Sequence, residues 1–154
     1  MGHKIPGVSI KTRFNGTGIS AIIHDYGSGG VGTTNYYKVI IDNSIVLEQL
    51  KMNNGKHTYV LASNLALSNH TVEIIKITEG ASGVSSFIGF KVTGGNQNAL
   101  DLPDKPNKRI EFIGDSWTCG YGNLSQFATG SASMANSGYV AKNEDNYYAW
   151  GPIT

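Results

Sequence analysis

Tyr36-Tyr37-Lys38-Val39-Ile40-Ile41-Asp42-Asn43-Ser44-Ile45-Val46-Leu47-Glu48-Gln49-Leu50 reads as a strand, a turn and a second strand. Tyr37, Val39 and Ile41 alternate onto one face, with the period of two that marks a half-buried strand. Asp42-Asn43 supplies a tight turn, and Ile45 to Leu50 is the return strand.

The same pattern continues on both sides. Ile19 to Tyr26 is an earlier strand, followed by the glycine-rich loop Gly27-Ser28-Gly29-Gly30-Val31-Gly32. Asn53-Asn54-Gly55 is a strong turn signal, because Asn and Gly tolerate positive φ at little cost. His57 to Ala62 and Thr71 to Thr78 follow, separated by the connection from Asn64 to Asn69. In the second of these the apolar positions switch from Val72 and Ile74 to Ile75 and Ile77, which predicts a bulge. Ser86 to Val92 closes the series. Strands of this length, roughly a dozen residues apart, predict an antiparallel β-sandwich able to bury its own core. No helical periodicity interrupts them.

A change of composition follows. Asn96 to Lys108 carries Asn, Asp, Lys and the prolines Pro103 and Pro106, and reads as an extended linker. The sandwich is therefore expected over residues 1–102, with 103–154 holding the linker and the beginning of something else.

That second part opens with Arg109-Ile110-Glu111-Phe112-Ile113-Gly114-Asp115-Ser116-Trp117-Thr118-Cys119-Gly120-Tyr121-Gly122-Asn123. Ile110, Phe112 and Ile113 form a short apolar run suited to a buried parallel strand. Gly114-Asp115-Ser116 then turns sharply, which would put Ser116 on the rim of a sheet, where α/β proteins hold ligands. By itself the tripeptide reads as a polar turn. Its context, a preceding apolar strand with Thr118 and Gly120-Tyr121-Gly122 at fixed spacing behind it, favours a serine nucleophile.

This segment resembles the nucleophile block of the SGNH (GDSL-like) hydrolases and, more narrowly, carbohydrate esterase family 2. Asn35 to Asp42, His70 to Gly80 and Phe87 to Phe90 are similar to the jelly-roll domain that precedes the hydrolase domain in that family. The resemblance implies a mainly β chain: an N-terminal jelly-roll sandwich, then the first strand and helix start of an incomplete α/β hydrolase domain. It implies a secreted serine esterase of the acetylxylan type, which takes acetyl groups from xylan or mannan-type polysaccharides through an acetyl-Ser116 intermediate. The backbone N–H of Ser116 would serve in the oxyanion hole, with Gly114 and Asp115 in support and no metal or organic cofactor. Asp115 is expected to hold the turn through backbone N–H groups. Trp117 either packs under the turn or touches substrate, and packing is the expectation.

Ser116 needs an imidazole base. His3, His24, His57 and His70 all precede it, whereas the family places its base far downstream. His24 and Asp25 are neighbours, but adjacent strand residues face opposite ways and cannot orient one another. All four therefore read as structural. The stretch after Leu102 has room for one strand, one loop and a helix start near Glu144-Asp145, while a doubly wound sheet needs several such units. The chain alone is expected to be inactive, the catalytic histidine coming from continuing chain or from a second polypeptide. The other reading is a non-catalytic carbohydrate-binding sandwich.

Composition narrows the remaining classes. The 154 residues carry a formal net charge of +1 and show no Lys/Arg cluster, which argues against nucleic acid or anionic membrane as partner. No apolar run approaches the roughly 20 residues of a membrane span, and Met1 to Pro6 lacks the apolar core of a secretory signal. Cys119 is the single cysteine, so no intrachain disulfide forms. It reads as a small buried residue beside the turn rather than a nucleophile.

Overall fold

A computed structural model describes residues 2–3, 5–96, 100–102, 112–126 and 140–151. Eight strands run in chain order: β1 (Gly2–His3), β2 (Ser9–Gly16), β3 (Gly18–Asp25), β4 (Tyr36–Ile41), β5 (Ser44–Lys51), β6 (Gly55–Ala62), β7 (Ser68–Lys76) and β8 (Ser85–Thr93). They form two four-stranded sheets in the orders β1-β8-β3-β6 and β2-β7-β4-β5, with every neighbouring pair antiparallel. The chain changes sheet at each connection except the β4–β5 hairpin, and this is the strand order of a jelly roll.

Each inner face supplies alternate residues to one core. Phe14, Ile19, Ala21, Ile23, Tyr37, Val39, Ile41, Met52, Tyr59, Leu61, Val72 and Ile74 are buried together there. Tyr37, Val39 and Ile41 thus share the inward face that their alternation demands. The β4–β5 turn places Asp42 at φ 49° and Asn43 at φ 66°, the two left-handed residues of a turn whose twist matches the flanking strands.

Two expectations about the strands need correction. β2 begins at Ser9, ahead of the first strand expected from sequence, and pairs with β7 over its full length. β7 has no bulge: its register runs unbroken against both β2 and β4. The register shifts lie instead in β3 and between β4 and β5. The apolar residues on both faces of β7 have another cause. Val72 and Ile74 face the core, while Ile75 joins Ile40 and Ile77 in a second cluster on the outside of the sheet. Tyr147 packs against that cluster. A sheet covered on both faces has no need of alternation.

The cover is the segment from Val140 to Gly151. Two short 3-10 turns, Ala141–Asn143 and Asn146–Tyr148, stand where a helix start was expected. Asp145 caps the second, accepting the N–H of Tyr147 at 3.0 Å. Asn146 donates from its backbone to the Ile77 carbonyl, and Ala141 to that of Val31, so the segment is tied to the sandwich at both ends.

Leu100 makes a single bridge to Arg13, whose guanidinium reaches the Asp101 carbonyl at 3.1 Å. The chain leaving β8 is thereby strapped along β2. The rest of the expected linker is outside the described residues, as are Arg109 to Glu111 of the expected strand. Phe112 and Ile113 belong to no strand among the described residues, and Ile113 is 89% exposed. A strand needs a neighbour to satisfy its N–H and C=O groups, and no described strand pairs with these two residues.

Candidate active site

The Ser116 turn is built from its two glycines outward. A Cβ on Gly114 would stand 2.0 Å from Thr118 Oγ1, so the chain can fold back here only without a side chain. The Asp115 carboxylate accepts the N–H of Trp117 at 3.0 Å, and its carbonyl accepts from Cys119 at 3.3 Å. The Ser116 carbonyl takes the N–H of Tyr121 at 2.8 Å, closing the loop. Gly120 sits at φ +81° with the Asp145 carbonyl oxygen 2.7 Å from where its Cβ would be. A left-handed conformation and a close backbone approach thus both require glycine at that position.

Ser116 is partly exposed, and among the described residues no group bonds its Oγ. Trp117 was expected to pack beneath the turn. It is 75% exposed instead. Phe112 does pack, against Trp150 with ring centroids 5.1 Å apart and against Gly151. Beside the turn opens a cavity of about 500 Å³, lined by Ile5, Pro6, Phe112, Gly114, Thr118 and Cys119 among others.

None of the described histidine side chains lines that cavity. His24 stacks on Tyr26 with centroids 4.3 Å apart and planes 8° from parallel, while the neighbouring Asp25 is buried. Asp25 accepts from the Asn35 side chain at 2.6 Å and from the Gly27 N–H at 3.1 Å. His57 meets the Asn54 carbonyl at 2.8 Å. His70 sits between the Asp42 carboxylate at 2.6 Å and the Ala66 carbonyl at 2.9 Å. Each of these three histidines is held by its local strand or turn.

Two buried ionic groups lie behind the turn, and neither was anticipated from sequence. At the end of β7 the Lys76 side chain is fully buried and donates to the carbonyls of Thr78 and Glu79. Burial pulls its ammonium down to about 8, against the attraction of Glu144, Asp25, Glu79 and Cys119. Ligand-type atoms of Glu79, Cys119 and Glu144 lie within 4.8 Å of one another. The charges of Glu144 and Glu79 also act on the Lys76 ammonium. Burial also pushes the Cys119 thiol up, which keeps it un-ionised and a poor nucleophile.

The second group centres on Lys38, which lies on the outer face of β4 and is also fully buried. Its ammonium is 3.0 Å from the buried Asp145 carboxylate and bonds Glu48, with the Tyr147 and Tyr148 rings 5.2 and 4.3 Å away. Burial would lower its pKa, but Glu48 and Asp145 together carry it above the ordinary value. Asp145 is shifted up by burial against the pull of Lys38. On their face the two shifts disagree about how well the pair suits its charges. The direction at the lysine is the firmer one, because its ammonium meets two carboxylates, which favour its charged form. The sequence signal was a lysine at the centre of an otherwise apolar strand.

Residues 1–103 match the family model described as carbohydrate esterase 2 N-terminal. The chain belongs to this family. It is 32% identical over 148 residues to the cellulase/esterase CelE of Acetivibrio thermocellus, a match that covers 96% of this chain and 16% of the relative. The acetylxylan esterase / glucomannan deacetylase of Cellvibrio japonicus is also 32% identical, over 97% of this chain and 37% of its own length. Among solved structures, a family two carbohydrate esterase from Clostridium thermocellum in complex with cellohexaose superposes with a TM-score of 0.82 at 30% identity, covering 99% of this chain and 42% of that one. This family 2 chain therefore spans well under half the length of the relatives it matches.

Proposed function

We propose that this family 2 chain is the front part of a secreted serine esterase that removes acetyl groups from a plant polysaccharide of the xylan or mannan type. The observation that carries the reading is the Ser116 turn, in a chain whose relatives are named as esterases. Gly114 and Gly120 shape that turn, and the Asp115 carboxylate and the Tyr121 N–H hold it. Ser116 Oγ attacks the acetyl carbonyl carbon as its proton passes to an imidazole. The bond from that carbon to the sugar oxygen then breaks, and the sugar leaves as a hydroxyl with the proton the imidazole returns, which leaves acetyl-Ser116. The acetyl-serine then loses acetate to water. The Ser116 N–H donates to the oxygen that becomes negative in each tetrahedral intermediate. The base lies outside these 154 residues, in continuing chain or a second polypeptide, so the chain alone is inactive. The exposure of the Trp117 indole supports a stacking contact with a sugar of the acetylated substrate.

Release of 4-nitrophenol from its acetate by the purified chain tests this, with Ser116→Ala as the control. The expected result is no difference between the two proteins. In a longer form that contains the base, Ser116→Ala should lower kcat by roughly a thousandfold or more. Serine-dependent turnover by the 154-residue chain would overturn the account of the missing base.

A second reading has its own observation. The parallel His24–Tyr26 stack lies on the outside of the sheet, with Tyr26 57% exposed, and a flat aromatic pair suits a sugar ring. A non-catalytic carbohydrate-binding sandwich would bind xylo- or cello-oligosaccharides through it. That binding would vanish in Tyr26→Ala and be unaffected by Ser116→Ala.

A further inference from the structure

Polar contacts and one peptide link connect Lys38 to Ser116. Lys38 Nζ holds the Asp145 carboxylate at 3.0 Å. The backbone of that same Asp145 is gripped on both sides by one amide side chain: Asn123 Nδ2 donates to the Asp145 carbonyl at 2.8 Å, and the Asp145 N–H donates to Asn123 Oδ1 at 3.0 Å. Gly120 lies against that carbonyl with no room for a Cβ. The next residue, Tyr121, donates to the Ser116 carbonyl at 2.8 Å, and the Asn123 N–H returns to the Gly120 carbonyl at 3.1 Å. Asp145 therefore joins two bodies. Its carboxylate belongs to the ion pair on the sandwich, and its peptide groups belong to the serine loop.

We propose that Lys38, in the middle of a sandwich strand, is a positioning residue for Ser116, acting through Asp145 and Asn123. Its catalytic consequence rests on the esterase reading above; its effect on the loop does not. The physical case is that both charges of the pair are buried. An Asp145 carboxylate without Lys38 would be left away from water with no cation beside it, and a shift of residues 144–146 toward solvent relieves that. Asn123, bound to the Asp145 backbone, moves with it, and the Tyr121–Ser116 bond loses its anchor. Displacements of about 1 Å at a nucleophile can cost on the order of a hundredfold in rate. Glu48, the other carboxylate on Lys38, differs in kind: its side chain is 60% exposed, and losing it leaves the buried pair whole. The sandwich thereby acquires a task in the active site that touches no substrate.

The test has two arms. In the 154-residue chain, amide hydrogen exchange is measured for Tyr121 and Asn123 with the amides of β3 as internal reference. Lys38→Met should speed exchange at the two loop amides about tenfold relative to β3, whereas Glu48→Gln should change that ratio less than about twofold. Should Lys38→Met fail to fold, Asp145→Asn removes the charge while keeping the backbone grip of Asn123 and the cap on Tyr147, and the same ratio should rise. An unchanged ratio in whichever variant folds overturns the proposal.

In a longer form containing the base, Lys38→Met should lower kcat about tenfold to a hundredfold with KM within about twofold, and Lys38→Arg should recover part of the loss. Equal losses in Lys38→Met and Lys38→Arg, or an effect confined to KM, would contradict positioning. Absence of any Ser116-dependent turnover in the longer form would refute the esterase reading, and the exchange ratio would still decide the role of Lys38.

Discussion

His70 shows how much a single residue owes to its setting. Its two ring nitrogens face acceptors, the Asp42 carboxylate and the Ala66 carbonyl, and only the imidazolium can donate to both. The hydrogen bond to Asp42 comes first among the causes that raise its pKa above the ordinary 6.5, followed by that to Ala66. For Asp42, burial pushes the carboxyl up, but the bonds from His70 and the Thr71 N–H outweigh it and the net shift is below 3.8. The signs then fix a window. A raised histidine stabilises fully below its unfolded value and loses this as pH climbs through the folded one. A lowered carboxyl stabilises above its unfolded value and loses this as pH falls through the folded one. The pair is therefore most useful between about pH 4 and 6.5. The Tm difference between the unmodified chain and His70→Gln should be larger near pH 5.5 than near pH 8.5. A gap independent of pH would show that His70 is not protonated in the folded chain.

Among the elements, the β4–β5 hairpin depends most directly on residue type. Asp42 and Asn43 both hold left-handed backbone conformations, which Asn and Asp tolerate and most residues do not. Asn43 is exposed, so replacing it alters backbone preference and little else. Asn43→Ala should cost about 1 kcal/mol in denaturant unfolding, and Asn43→Gly should be neutral or slightly stabilising. Equal stability of Ala and Gly variants would mean that the turn can relax to another type. The neighbouring strand β7 illustrates the opposite dependence. Its second apolar face has a function only because Tyr147 and the 140–151 segment lie over it.

At the scale of the whole molecule, the two parts are less separate than their compositions suggest. The boundary near Leu102 remains a proposal that the main core supports: among the described residues it is drawn from β2 to β8 and neighbouring turns, with none after that point in it. We expect a chain ending at Leu102 to melt in one cooperative step. It should do so at a lower temperature than the 154-residue chain, since Ile40, Ile75 and Ile77 lose their cover and Lys38 loses Asp145. Calorimetry on both lengths checks this. Equal Tm values would mean that the 140–151 segment adds nothing to the sandwich, and a broad transition would refute the boundary.

The sequence by itself determined the sandwich, most of its strands and the serine turn, because each is written in local terms. Alternation specifies a face, Asp-Asn and Asn-Gly specify turns, and Gly114-Asp115-Ser116 with Gly120 marks a sharp loop whatever surrounds it. Pattern reading missed β2 because Ser9 to Gly16 is mostly polar and gains its place by pairing with β7. It took the second apolar face of β7 for a bulge because covering by a distant segment leaves no local mark. It expected Trp117 to pack, since hydrophobicity gives no direction to a side chain on a turn. Only the tertiary structure decided that Lys38, Asp145 and Asn123 form one connection. Their separation in the chain is long, and a buried charge is stable only where folding brings its partner to it.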